Sequence, residues 1–153
     1  NEHPLGAPTR PTGAFSSGTT LTPTDDTIPQ ITEGNLVMTQ TITPKSAPNK
    51  LNILSSAQTA HSDLTLMPTV VIALHKDAVS DALAASLGTQ VPASGALRPT
   101  IDHIMSAGTT SQISFTIRAG YNIAGTTYFN GDLGSRNMGG VSNSFIKIME
   151  IHA

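Results

Sequence analysis

The chain has no cysteine and no tryptophan, and only 12% of its 153 residues carry charge. Without cysteine there are no disulfide frameworks, thiol nucleophiles, iron–sulfur clusters or zinc ribbons. The charged share is about half the usual one, and the formal net charge is -2. That balance gives no electrostatic basis for tight binding to nucleic acid or to an anionic bilayer. Aromatic residues make up 4%, which leaves few flat faces on which sugar rings could stack. No apolar run reaches the roughly 20 residues of a membrane span, so no membrane insertion is expected. No signal-peptide pattern and no initiator methionine open the chain, so Asn1 reads as the start of a fragment or of a processed product.

Small polar residues fill the gap: 21 Thr and 15 Ser, with 13 Gly and 10 Pro. A chain of this length can bury roughly 70% of its unfolded surface, enough for one domain without staples. Residues 1–34 hold Pro4, Pro8, Pro11, Pro23 and Pro29 and only scattered apolar side chains. Proline fixes φ and removes a donor, which excludes a central strand or a helix there. This stretch reads as an extended arm with one short strand at 18–22. A leader without structure and an arm ordered on a neighbouring subunit are both open.

From residue 35 the pattern changes to short strands separated by turn signals. Strands are expected at 35–43, 51–56, 69–75, 100–105, 111–118, 126–129 and 145–151. The run at 69–75, Thr-Val-Val-Ile-Ala-Leu-His, is apolar at both parities and predicts burial on both faces. Residues 78–87 predict the one helix, with Val79, Leu83 and Leu87 every four positions and Gly88 as its stop. Asn130-Gly131 is the strongest hairpin signal. Seven or eight strands at such spacing predict an all-β domain over 35–153, a jelly-roll-like β-sandwich with one short helical insertion. In the last strand Phe145, Met149 and Ile151 share one face, and Ile146 and Ile148 share the other. A strand apolar on both faces needs two covers. Ile146 and Ile148 are therefore expected to meet another copy of the chain, or else the arm of their own chain.

Chemistry-bearing patterns are sparse. His3, His61, His75, His103 and His152 have no ligand partner at helical spacing, and Asp102 and His103 point to opposite faces of a strand. Asp25-Asp26 lacks a calcium-loop pattern, and the Gly-rich stretch at 130–140 lacks a phosphate-cradle motif. There is no strained Ser elbow with a paired His, and no carboxylate pair to flank a glycosidic bond. No catalytic residue, metal or cofactor is expected. The loops 91–99 and 121–137 are the expected contact regions, with Tyr121, Tyr128, Asp132 and Arg136 as candidate receptor or partner contacts.

Four stretches carry a family resemblance: DDTIPQITEG at 25–34, TITPKSAPNKLNI at 41–53, AGTTSQISFTIRAG at 107–120 and FNGDLGSRNMGGVSNSFIKIMEIHA at 129–153. Together they resemble C-terminal modules of tailed-bacteriophage virion proteins, those of tail fibres, tail spikes and related appendages. The likeness spans roughly residues 18–153 and departs at 1–17 and 91–99. It implies a compact jelly-roll module, a homotrimer, and a place in the virion among other virion proteins. The function it implies is a non-enzymatic module at the distal end of a tail fibre or spike, in contact with a host surface receptor. The alternative is a capsid decoration or cement protein whose arm, residues 1–34, binds capsid subunits.

Overall fold

A computed structural model describes residues 15–92, 95–142 and 144–153. Among them the chain forms, in order, β1 (Ser16–Gly18), β2 (Asn35–Ile42), β3 (Lys50–Ser56), β4 (Thr59–His61), β5 (Thr69–Lys76) and β6 (Ala84–Thr89). It continues with β7 (Thr100–Ser106), β8 (Ile113–Tyr121), β9 (Thr127–Phe129), β10 (Gly131–Asp132), β11 (Ser135–Arg136) and β12 (Phe145–Ile151). Two antiparallel sheets make the sandwich: a four-stranded sheet in the order β2-β8-β5-β6 and a three-stranded sheet in the order β12-β3-β7. The chain passes back and forth between them, which is the winding of a jelly roll. A small sheet, β1-β9-β4, and the β10-β11 hairpin complete the fold.

Period-two alternation places the core between the sheets. Leu51, Ile53, Ile101, Ile146 and Ile148 point inward from the three-stranded sheet; Met38, Ile42, Ile72, Leu74, Ile113, Phe115 and Ile117 meet them from the other. This corrects the expectation for Ile146 and Ile148. They are 1% and 7% exposed and belong to the core of their own chain, so they form no oligomer face. The expected alternation of β2 is also interrupted. A register shift between Leu36 and Met38 turns Met38 into the core and leaves Leu36 54% exposed. An extra residue in one strand reverses the faces on either side of it.

No helix forms at 78–87. Asp77 turns the chain in the left-handed region at φ 51°. The following backbone is then taken by the arm, with Ile31 N–H donating to Ser80 and Ala82 N–H to Pro29. Residues 84–89 pair with β5 instead, Ala84 opposite Leu74 and Thr89 opposite Thr69. The four-residue spacing is incidental: Leu83 packs on the core, whereas Val79 and Leu87 are exposed. Edge pairing satisfies the backbone and overrides an Ala-rich helical preference. The helical content of the described residues is one 3-10 turn at Met138–Gly140.

Residues 15–34 of the arm lie on the sandwich; residues 1–14 fall outside the described residues. The arm's strand is β1, slightly earlier than expected, and it pairs with β9. Thr22 N–H donates to Tyr121 and Gly34 N–H to Leu21, while Arg118 donates from Nε to Glu33 O at 2.8 Å and from Nη2 to Gly34 O at 2.9 Å. The outer side of β5 is thereby covered, which explains a strand buried on both faces: Val71, Ala73 and His75 are as hidden as Ile72 and Leu74.

Glu150, at the same parity as Ile146 and Ile148, turns inward despite its charge. Its carboxylate accepts from Lys45 N–H at 2.9 Å, Ser46 N–H at 3.3 Å and Asn49 Nδ2 at 2.7 Å. One side chain thus pins the 44–49 loop to the end of β12. Glu150→Ala leaves three donors unmatched and is expected to destabilise the fold by about 2–3 kcal/mol, read as a lower urea midpoint. An unchanged midpoint would show the loop held by other means.

His75 is fully buried. Burial, reinforced by the positive charge of Arg118, holds its imidazole below the ordinary 6.5. The unfolded chain therefore binds this proton first as pH falls. The stability contributed by the neutral ring is complete above about 6.5 and is lost as pH drops below it. The melting temperature should fall between pH 7 and pH 5, and should fall less in His75→Gln. Equal falls in the two proteins would place the acid sensitivity elsewhere.

Candidate functional site

The outer face of the three-stranded sheet is built by the residues of β12, β3 and β7 that alternate with the core. Strand register sets them in rows: Phe145 beside Ser56 and Thr100, Lys147 beside Leu54 and Asp102, Met149 beside Asn52 and Ile104, Ile151 beside Lys50 and Ser106. Ile104 is 59% exposed and Ile151 42%, while Phe145, Leu54 and Met149 are half-buried. Apolar side chains therefore stand on all three strands of this face, with no layer over them among the described residues. The β5 face carries the arm; this face carries nothing among the described residues.

Charge frames the band. Lys147 stands on one edge strand and Asp102 on the other, in the same row with Leu54 between them. Two strand spacings, about 10 Å, separate their backbones. Both are exposed, and no ion pair joins them. At the lower end Lys50 Nζ donates to Ser106 Oγ at 2.7 Å. Asn52 sits on the central strand, and its Oδ1 is buried without a hydrogen-bond partner. Asp102 and His103 diverge as strand geometry requires, Asp102 outward and exposed, His103 half-buried on the core side.

A second surface lies at 130–142. Asn130 adopts φ 57°, as the Asn-Gly signal requires, yet the chain does not reverse there. The hairpin is β10-β11, and its two turn residues are Leu133 and Gly134, at φ 49° and 82°. That is the handedness of a two-residue type I′ turn, in which a leucine is out of place. Asn130 is instead an internal tie: its Oδ1 accepts from Ser144 N–H at 3.1 Å and from Ser144 Oγ at 2.7 Å. Met138 also lies at positive φ, 50°. Leu133, Met138 and Val141 are 64%, 77% and 76% exposed. Strained, exposed apolar side chains at a loop tip are a feature of binding surfaces.

The four predicted contact residues separate. Tyr121 is 1% exposed and is no contact residue. Its OH donates to Gln90 Oε1 at 3.2 Å, its ring meets the His61 ring at a centroid distance of 4.9 Å, and burial pushes its phenol up to about 12. A phenol that ends β8 under the arm has its ring wanted by the interior. Tyr128, half-buried on β9, stacks against Phe15 of the arm with centroids 6.0 Å apart. Asp132 and Arg136 share the β10-β11 hairpin. Asp132 Oδ1 accepts from Leu133 N–H at 2.8 Å, and the exposed Arg136 folds over Gly140, where a Cβ would lie 3.1 Å from Nη1. Of the other expected loop, 91–99, residues 93 and 94 lie outside the described residues; Arg98 reaches from it to Gln58 Oε1 at 2.8 Å and Ser142 Oγ at 2.9 Å.

Sequence reasoning missed Asn52, Leu54 and Ile104 as surface-forming residues. The available signal was an apolar residue at the polar parity of two strands, Leu54 in KLNILSS and Ile104 in TIDHIMS. Among the described residues no group of three or more His, Asp or Glu side chains could hold a metal ion, and no helix is long and apolar enough to cross a membrane.

These features define an all-β sandwich with two candidate interaction surfaces. No protein-family model matches the chain, and no curated protein matches it. Among solved structures one similar chain is Eiger TNF from S. frugiperda, with a TM-score of 0.49 and 10% identity, covering 99% of this chain and 90% of that one. A likeness of this size bears on neither partners nor activity.

Leu133 and Met138 can be tested directly. Leu133→Gly and Met138→Gly remove the left-handed penalty, and each is expected to leave stability unchanged or raise it by up to about 1 kcal/mol in urea melts. A clear loss of stability would mean that these side chains pack on the fold.

Proposed function

We propose that the chain is a non-enzymatic structural module of a bacteriophage particle. In this reading it is a homotrimer at the distal end of a tail fibre or spike, packed through the outer face of the β12-β3-β7 sheet and presenting the 131–142 loop to the host surface. The observation that carries the self-association is the apolar band of Phe145, Leu54, Met149, Ile104 and Ile151. The place in a phage particle rests on the resemblance across residues 18–153. Opposite charges on the two edges favour head-to-tail packing, in which the Lys147 edge of one copy meets the Asp102 edge of the next; such contacts give a ring when the rotation between copies closes. Three copies of a weak loop contact then act together, and effective concentration raises attachment by about 10²–10⁴ over one.

In the alternative, capsid decoration, the arm would stitch neighbouring subunits. Residues 15–34 are bonded to their own sandwich, so the reach would fall to residues 1–14.

The test is a pair of aspartates. Ile104→Asp, on the outer face, should leave a folded single chain that binds host cells at least tenfold more weakly than the parent. Ile148→Asp, in the core, should not fold. An Ile104→Asp protein that keeps its mass and its cell binding would refute the reading. Restored heat resistance of undecorated heads, without cell binding, would favour decoration.

A further inference from the structure

We infer that Asn52 sets the register and copy number of the assembly, its side-chain amide meeting the same amide of a second copy of this chain. The inference rests on the outer-face reading above and deepens it. Asn52 occupies the middle of the central strand, with Met149 and Ile104 on either side in its row and Leu54 and Lys50 above and below on the same face. Among the rows of this face it is the one polar side chain with an apolar residue on each side. Its Oδ1 is closed off from solvent and accepts nothing.

A folded single chain gains nothing from this arrangement. Asparagine is a poor strand former, and a leucine or valine here would extend the band and remove an unmatched acceptor. An amide carries both a donor and an acceptor, however, which makes it complementary to itself. Around a symmetry axis each Asn52 donates N–H to the carbonyl of the next and accepts from the one before. The terminal torsion of asparagine is broad and roughly two-fold, so the amide turns outward at small expense. Apolar contact alone is non-directional and tolerates sliding. A slipped packing would strand each amide against Met149 or Ile104 of a neighbour, whereas the aligned packing satisfies them all. Single buried asparagines fix register and oligomer number in coiled coils by the same logic. Lys147 and Asp102, one row away, add a second constraint of the same sense.

The experiment is equilibrium sedimentation of the full chain and two variants over a hundredfold range of concentration. The wild type should show one assembled mass. Asn52→Leu should assemble at least as tightly but as a mixture of masses. Asn52→Asp should dissociate at least tenfold more readily at pH 7, where like charges face each other. It should reassemble toward pH 4, where a protonated carboxyl again donates and accepts; the wild-type mass at pH 4 is the control. Circular dichroism checks that each variant folds. A wild type that is monomeric throughout overturns the outer-face reading together with this one. A wild-type oligomer whose mass and pH response are unaffected by both substitutions overturns the role of Asn52 alone.

Discussion

Apolar side chains stand on both sides of the three-stranded sheet, and the described residues cover only one side. Ile146, Ile148, Leu51, Ile53 and Ile101 are hidden by the opposing sheet. Phe145, Leu54, Met149 and Ile104 look the other way. Sheets with one wet face normally alternate apolar and polar residues. Departure from that rule on three adjacent strands at once, with Leu54 diagonal to Phe145, Met149 and Ile104, is the constraint to which the oligomeric reading answers.

The other sheet resolves the same problem internally. There the arm lies over β5 and β8, tied by Arg118 to Glu33 and Gly34 and by backbone bonds at Thr22, Ile31 and Ala82. That cover hides His75 and makes the arm part of the domain's stability from residue 15 onward. The two sheets thus differ in how their outer faces are closed, one by local chain and the other by a copy of the chain in the reading proposed here. Glu150 and Asn130 work at a smaller scale. Each is a buried polar side chain whose several hydrogen bonds fix a loop against β12 or its approach, which converts a flexible connection into a defined one.

Much of the sandwich was legible in residue order. Clean alternation in ISFTIRAGY and the doubly apolar TVVIALHK located β8 and β5, and both burial patterns followed. The failures have physical causes. Residues 78–87 carry a helical spacing, but the free edge of β5 and the bonds offered by Pro29 and Ile31 outweigh local preference, and no single-segment reading contains those partners. β4, three residues long, forms because β9 pairs with it on one side and Leu97 bridges Thr59 on the other. Parity located two faces on β12 but not which of them turns inward; the partner strand decides that. Tyr121 was a plausible contact residue from its glycine-rich neighbourhood, and lost that role because the end of β8 runs beneath the arm. Met138 and Leu133 were invisible as exposed apolar residues, since left-handed φ at such side chains is set by the hairpin and not by preference.

The central claim is that one face of this domain is completed by its own copies. Sedimentation equilibrium of the unmodified chain at micromolar concentration tests it most directly. The account predicts a mass three times the chain's 15.9 kDa; a mass equal to one chain, with Ile104 and Met149 open to a solvent-phase label, would contradict it.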